Sequence, residues 1–372
     1  MRRTKWIISL LCCLSVSHAA DAIETKATHA VVMDHATGIV LFDKKANEQM
    51  YPASMTKMMT AYMLFDALKS GKIKEDTSYV VSEEAWRKQG SKMFVRLGDS
   101  IAVQDLLRGI VIQSGNDACI VFAEGYAGTE AQFSERMTEK AKEIGMTNSV
   151  FKNATGWPDE AHVTTAKDLA TLARRTVMDF PEYYPIYKQL DYTYNGIKQY
   201  NRNVLLTRSM GIDGLKTGHT EEAGYGITIS GEDNGRRVHV VVGGLSSEKE
   251  RAQEAASLYR YAMSEFRTVQ PAVVGTVLAS LPIMYGEQDN VDVTTAKDAT
   301  ILLPHTGLDA FHAELRWMQP IKAPVRAGQK LGTLHITSST MQEQQLDVVA
   351  VSDVEDGGIF TRFVSNLAVL SQ

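Results

Sequence analysis

Gly211-Ile212-Asp213-Gly214-Leu215-Lys216-Thr217-Gly218-His219-Thr220 is the stretch around which the chain is organised. It reads as a strand at a sheet edge carrying Lys-Thr-Gly. Lys216 supplies a positive field, and the Thr217 hydroxyl with nearby backbone can hold a carboxylate. Gly218 removes a side chain, so that a substrate backbone can lie against the strand. Alone, Lys-Thr-Gly is common in ordinary turns. Its weight comes from two stretches upstream, Ser54-Met55-Thr56-Lys57 and Ser114-Gly115-Asn116, which give the ordered set Ser-x-x-Lys, Ser-x-Asn, Lys-Thr-Gly.

The first member has a helical context. Pro52 and Ala53 precede Ser54, and Met55, Met58, Met59, Tyr62, Met63 and Leu64 then recur at helical spacing. Ser54 is therefore expected at the start of a buried helix, with Lys57 three residues on and on the same face, where an amine reaches a hydroxyl. Two further Ser-x-x-Lys copies, Ser149 to Lys152 and Ser246 to Lys249, lie in a polar loop-like stretch and among surface charges. Only the Ser54 copy opens an apolar helix.

The second member sits between two apolar runs, Leu106 to Ile112 and Ala118 to Ala123, and so is expected in a loop joining two helices. Ser, Asn and Asp also favour helix N-caps, so one of these residues can cap while others face a cleft. Cys119 falls on the apolar side and reads as a packed core thiol.

Composition bounds the rest. The chain has 372 residues, 44% hydrophobic, with a formal net charge of −5, enough for two domains with full cores. Mild acidity argues against nucleic-acid binding. Cys12 and Cys13 lie in the N-terminal apolar run, so the remaining Cys119 leaves no intrachain disulfide, and no Cys/His cluster suggests a metal. Arg2, Arg3 and Lys5, the run Trp6 to Val16, and Ser17-His18-Ala19 have the order of a secretory signal peptide. Residues 1–20 are assigned to it, and export to a bacterial periplasm or cell exterior is expected.

Residues 28–43 read as a hairpin around Ala36-Thr37-Gly38, and residues 151–170 as a long loop ending at a helix capped by Thr164 or Thr165. Residues 181–200 are rich in Tyr and are expected to line the region before Lys216. Arg202 is an isolated cation before an apolar pair. Gly224 to Ser230 and Val238 to Leu245 flank a turn at Glu232-Asp233-Asn234-Gly235, and Glu248 to Phe266 reads as an amphipathic helix. Composition shifts near Val269-Gln270-Pro271, beyond which short β-like runs and turns imply a separate β-rich domain. Examples are 300–303, 324–332, 334–337 and 346–351. Gly357-Gly358 then precede residues 359–370, where Ile359, Phe360, Phe363, Val364, Leu367 and Leu370 share one helical face and Val369 interrupts the other.

The three motifs, their order, the leader and the β tail resemble the D-alanyl-D-alanine carboxypeptidase family of low-molecular-weight penicillin-binding proteins. Ser114 to Cys119, Asn201-Arg202-Asn203 and Asp213 to Thr220 extend the likeness beyond the triplets. The resemblance implies an α+β fold. Its β-lactamase/transpeptidase-like catalytic domain, a five-stranded antiparallel sheet flanked by helices, would occupy residues 25–266. A β-rich domain would follow over 267–355, and a C-terminal segment, 357–372, would attach to the inner-membrane surface.

The chemistry so implied is cofactor-free acyl transfer on peptidoglycan stem peptides. Ser54 is the nucleophile, Lys57 the base and Ser114 a proton relay to the leaving nitrogen. Asn116 binds substrate backbone or holds Lys57. Lys216, Thr217, Gly218 and His219 bind substrate, with the oxyanion held by the N–H groups of Ser54 and His219. Thr217 and Arg202 are candidates for the terminal carboxylate, with Arg251 a weaker one. Burial and the Lys216 charge are expected to lower the Lys57 pKa. β-Lactams are expected to trap Ser54. A class A β-lactamase would need a Glu-x-x-Leu-Asn stretch in the long loop, and residues 151–170 hold only Asp159 and Glu160. A D,D-endopeptidase and a non-catalytic wall-binding protein are the other readings; intact motifs speak against the last.

Overall fold

The computed structural model describes residues 23–305, 311–338 and 341–358. The basic and apolar N-terminal run and the 359–370 segment lie outside them. The chain divides into two compact units, with the boundary in sequence between Met263 and Ser264.

In the first unit, β1 (His29–Asp34) and β2 (Val40–Lys44) form the hairpin expected around Ala36-Thr37-Gly38. Asp34 closes its turn by accepting the Thr37 N–H at 2.9 Å and the Thr37 hydroxyl at 2.8 Å. β3 (Ile212–Thr220), β4 (Gly224–Asp233) and β5 (Arg236–Leu245) complete a five-stranded antiparallel sheet in the order β2-β1-β5-β4-β3. Asn234 and Gly235, at φ of 50° and 76°, make the two-residue turn between β4 and β5. β3, which carries Lys-Thr-Gly, is an edge strand, with one side open.

Both faces of the sheet are buried. Ala30, Val32, Ile227, Ile229, Val240 and Val242 pack on one helix, while the intervening Val31, Met33 and Val241 point the other way, to a second helix and Met55. The longer helices are α1 (Lys57–Lys69), α2 (Val103–Val111), α3 (Asn116–Ala127), α4 (Glu130–Glu143), α5 (Ala166–Asp179) and α6 (Glu248–Glu265). α6 covers the first face and α5 the second. α1 to α4 share a core that includes Met58, Leu64, Phe65, Leu106, Ile110, Phe122 and Phe133. Burying one such side chain contributes about 1.5–3 kcal/mol. α3 is apolar nearly all round, with Ala118 to Ala123 fully buried, so it is an interior helix and a rigid base for Ser114 and Asn116. The amphipathic helix expected to reach Phe266 ends at Glu265, because Phe266 opens a strand.

The second unit is β-rich. β6 (Phe266–Ala272), β7 (Ala279–Met284), β8 (Asn290–Thr295), β9 (Ala299–Pro304), β10 (His312–Trp317), β11 (Lys330–Ser338) and β12 (Met341–Ala350) follow in turn. β6 pairs with β9; the larger sheet runs β10-β11-β12-β8-β7, with Ile321–Lys322 along β7. The run 324–332 is strand only from Lys330. Its start is a turn fixed by an isolated Val325–Val354 bridge, since Pro324 brings no N–H to a ladder.

Candidate active site

Ser54 lies in a single 3₁₀ turn, Ala53–Thr56, that runs directly into α1. Lys57 is the first α-helical residue, and its Nζ stands 3.0 Å from Ser54 Oγ and 2.6 Å from the Thr155 carbonyl oxygen. The ammonium is buried to 1% exposure. Burial is the main cause that lowers its pKa, to about 8, with the charges of Arg202 and Lys88 adding to it and Cys119 and Asp117 opposing. The sequence-based expectation gave Lys216 this second role. Lys216 is instead itself held well below its ordinary value, first by burial and then by the charge of Lys57.

Ser114 is held in a left-handed backbone conformation, φ 59°, between α2 and α3. Its Oγ is buried and has no hydrogen-bond partner. A non-glycine residue in this region is strained. The expected double role as helix cap is absent: the cap position of α3 is Gly115, no side chain caps it, and Asn116 is already helical rather than in the loop. Asn116 Nδ2 donates to the Gln89 carbonyl at 2.8 Å and so ties α3 to the 88–91 segment.

The residue sequence reasoning missed is Asp117. Its carboxylate accepts the backbone N–H groups of Met93 (2.7 Å), Phe94 (2.9 Å), Val95 (3.2 Å) and Ala118 (2.9 Å). An acid in the first turn of an apolar helix was the available signal; Met93, Phe94 and Val95 lie more than twenty residues upstream, where no sequence pattern reaches.

On β3, Lys216, Thr217, Gly218 and His219 pair with Thr228, Ile227, Gly226 and Tyr225 of β4. The role expected for Gly218 needs correction. A β-carbon there would stand 2.9 Å from the Pro52 carbonyl oxygen and 3.2 Å from Ala53 Cβ. The glycine thus lets the Ser54 turn close on the strand, and its bare side faces that turn rather than open cleft. The packing seats Pro52, Ala53 and Met55 of the Ser54 turn against Gly218. His219 stacks on Tyr225 at 3.9 Å between ring centroids, and the Arg251 guanidinium lies 5.7 Å from the other ring in this row, that of Tyr225. Arg202 Nη1 donates to Ser91 Oγ at 2.8 Å. Asn203 Nδ2 donates to the Gly214 carbonyl at 3.0 Å and anchors this segment to β3.

The Tyr-rich stretch does reach the region before Lys216. Tyr184 donates to Asp213 at 2.6 Å, and Arg237 holds the same carboxylate through two nitrogens at 2.8 and 2.7 Å. The 151–163 loop is clamped to α1. Besides Thr155 on Lys57, the Ala154 carbonyl accepts Thr60 Oγ1 at 2.6 Å, and His162 Nε2 lies 2.9 Å from Thr56 Oγ1. His162 Nδ1 accepts the Lys152 N–H at 3.2 Å, so Nε2 carries the proton and donates to Thr56. Thr165, of the two threonines considered, caps α5. The Ser149 hydroxyl is bound to Asp168 and Thr164, a structural position. Cys119 is buried, its thiol pushed up to about 12 mainly by burial. Among the described residues no cluster of His, Cys, Asp or Glu is placed to hold a metal ion.

Four basic side chains thus gather around the Lys57–Ser54 pair and Lys216: Lys57 itself, Lys216, Arg202 and Arg251. Lys57, Arg202 and Arg251 each depress Lys216. Against them stands Glu248, paired with Arg251 at 3.7 Å and itself exposed. Such a field suits an anionic ligand group.

A family model described as D-alanyl-D-alanine carboxypeptidase matches residues 15–247, and one described as penicillin-binding protein 5, C-terminal domain, matches residues 266–356. The chain is 33% identical over 356 residues to the D-alanyl-D-alanine carboxypeptidase DacC of Escherichia coli K12, covering 94% of this chain and 89% of that protein. The crystal structures of penicillin-binding protein 5 from Haemophilus influenzae superpose with a TM-score of 0.82 at 31% identity, over 91% of this chain and all (100%) of that one. Penicillin-binding protein D2 of Listeria monocytogenes in its ampicillin-bound form has a TM-score of 0.59 at 27% identity, covering 65% of this chain and 98% of that one.

Proposed function

The chain belongs to the D-alanyl-D-alanine carboxypeptidase family, and on that premise we propose that Ser54 removes the terminal D-Ala from peptidoglycan stem pentapeptides through an acyl-serine. The single observation that carries the site assignment is Lys57 Nζ at 3.0 Å from Ser54 Oγ. A neutral lysine amine has two N–H groups and one lone pair. With one N–H given to the Thr155 carbonyl, the lone pair is free to face the serine hydroxyl.

Ser54 Oγ attacks the carbonyl carbon of the penultimate D-Ala as its proton passes to Lys57. The oxyanion is held by the N–H groups of Ser54 and His219, a donor pair whose loss of one member typically costs about 10²–10³ in rate. The C–N bond then breaks, and the proton held by Lys57 passes through the unpartnered Ser114 hydroxyl to the leaving amine, which leaves Lys57 neutral again. Water, deprotonated by Lys57, attacks the ester and frees Ser54. Thr217, Arg202 and, more weakly, Arg251 receive the terminal carboxylate, and Asn116 and Lys216 line the substrate path. Carbonyl groups of β-lactams enter the same route. The loop around Asn153 lacks the glutamate that a class A β-lactamase uses on its ester, so the penicilloyl-serine is expected to release slowly.

We place the enzyme in the periplasm, exported by residues 1–20 and held at the outer face of the inner membrane by residues 357–372, as the leader order and the apolar face of 359–370 suggest. Arg362 is the lone cation of that face-forming segment, so its binding would be mainly hydrophobic. Mass spectrometry of a pentapeptide digest tests the reaction: a tetrapeptide plus D-Ala is expected, and an uncleaved peptide overturns it. Co-sedimentation of the full chain with vesicles at low salt tests the attachment, and a protein that stays in the supernatant refutes it.

A further inference from the structure

His162 has no role in the steps above, yet the fold buries it to 2% exposure beside the Ser54 turn. Burying a polar ring costs free energy unless its polar atoms are met. Here both nitrogens are met. Nδ1 accepts the Lys152 N–H at 3.2 Å, and the protonated Nε2 donates to Thr56 Oγ1 at 2.9 Å. Burial is the first cause that lowers the pKa of His162, to about 4, so the neutral ring is the form present near pH 7.

Thr56 stands immediately before Lys57 and is fully buried. It shares a 3₁₀ turn with Ser54, and in such a turn residues two apart point to different sides. Thr56 can therefore be held without touching the nucleophile. The loop that carries His162 also carries Thr155, whose carbonyl accepts Lys57 Nζ at 2.6 Å. Loop and chain are thus joined at two adjacent residues, Thr56 and Lys57. A β-carbon on Gly156 would stand 2.8 Å from Thr56 Oγ1, so the loop lies directly on that hydroxyl.

The Thr155 carbonyl sets where the amine sits, and the His162 bond sets where the turn beside it sits. We propose that His162 is a positioning residue: its Nε2–H, acting through Thr56, keeps the Ser54 turn in register with the Thr155 carbonyl, so that the Lys57 lone pair meets Ser54 Oγ. A misplacement of about 1 Å between reacting groups costs on the order of 10²-fold in rate. The inference rests on the Ser54 reading given above.

Two substitutions separate the bond to Thr56 from the mere filling of the site. In His162→Gln the amide nitrogen lies as many bonds from the backbone as Nε2 and still donates to Thr56, while the Lys152 N–H loses its acceptor. In His162→Asn the amide oxygen takes the place of Nδ1, so Lys152 is served and Thr56 is not. Thr56→Val removes the same bond from the other side. Acylation by a fluorescent penicillin is followed by stopped flow on the purified full chain. The rate constant comes only from molecules that label, so a partly unfolded sample lowers the amplitude and leaves the rate.

Acylation should fall about tenfold in His162→Asn and in Thr56→Val, with no further loss in the double variant, and stay within about threefold of the parent in His162→Gln. The pH midpoint of acylation should rise in His162→Asn and Thr56→Val, as Lys57 loses its buried seat, and match the parent's in His162→Gln. Should His162→Asn not label at all, Thr56→Val and His162→Gln decide by the same criteria. A parental rate in Thr56→Val, equal losses in His162→Asn and His162→Gln, or losses that multiply in the double variant overturn the positioning role and leave the Ser54 reading standing. A parent that never labels overturns the Ser54 reading, and the role of His162 with it.

Discussion

Gly156 packs flush on Ala53: a β-carbon on Gly156 would overlap the Ala53 carbonyl oxygen, and its φ of 80° is one that L side chains seldom adopt. The loop that holds Lys57 through Thr155 is therefore seated on the turn that presents Ser54. Gly156→Ala is expected to push the two apart, lowering penicillin acylation at least tenfold and stability by about 1–3 kcal/mol. Stopped-flow acylation together with urea unfolding checks both. An unchanged acylation rate would detach the loop from the nucleophile's geometry.

Lys57 as base fixes a pH profile. A group lowered to about 8 is mostly protonated at pH 6, so acylation by penicillin should rise about tenfold per pH unit up to that value and then level off. Lys57→Arg keeps the charge but cannot yield the proton; its acylation should be nearly abolished over the same range. A profile flat between pH 6 and 8 in the parent would remove Lys57 from the role.

Asp117 accepts four backbone N–H groups across two segments. Asp117→Asn keeps the shape, turns one acceptor into a donor and removes the charge that shortens these bonds. A loss of about 1–3 kcal/mol is expected, with faster amide exchange at Met93, Phe94 and Val95 as the specific signature. Protection factors equal to the parent's would refute this anchoring role.

Two buried histidines, His162 and His239, and the half-buried His35 make the fold sensitive to acid. Burial, the first cause in each case, lowers His35 and His162 to about 4 and His239 well below its ordinary value. Between pH 6.5 and about 4 the unfolded chain binds protons at these positions and the folded chain does not. Stability is thus fully present above pH 6.5 and declines as pH falls, by up to about 1.4 kcal/mol per pH unit for each histidine. His162→Asn should flatten the urea-midpoint curve in that window. A slope equal to the parent's would show that His162 titrates alike in both states.

Much of this was legible in the chain. The periodicity after Ser54, the polar turn at Asn234-Gly235 and the β-rich runs beyond Val269 gave helix, hairpin and second unit, because each depends on neighbours in sequence. What was misread depends on neighbours in space. Gly218 serves the Pro52 and Ala53 backbone rather than an open cleft, and Asp117 gathers a distant loop. The depression of Lys57 was foreseen, yet its second cause is Arg202, which the sequence showed only as a lone cation.

Ser114 combines a left-handed backbone with a buried hydroxyl that nothing in the fold satisfies. Folding alone would favour glycine there: it would relieve the strained backbone and bury no unpartnered oxygen. Natural selection for thermostability and selection for turnover therefore pull this position in opposite directions. A library screened only for survival after heating should collect Ser114→Gly among its winners, and those winners should be poor peptidases.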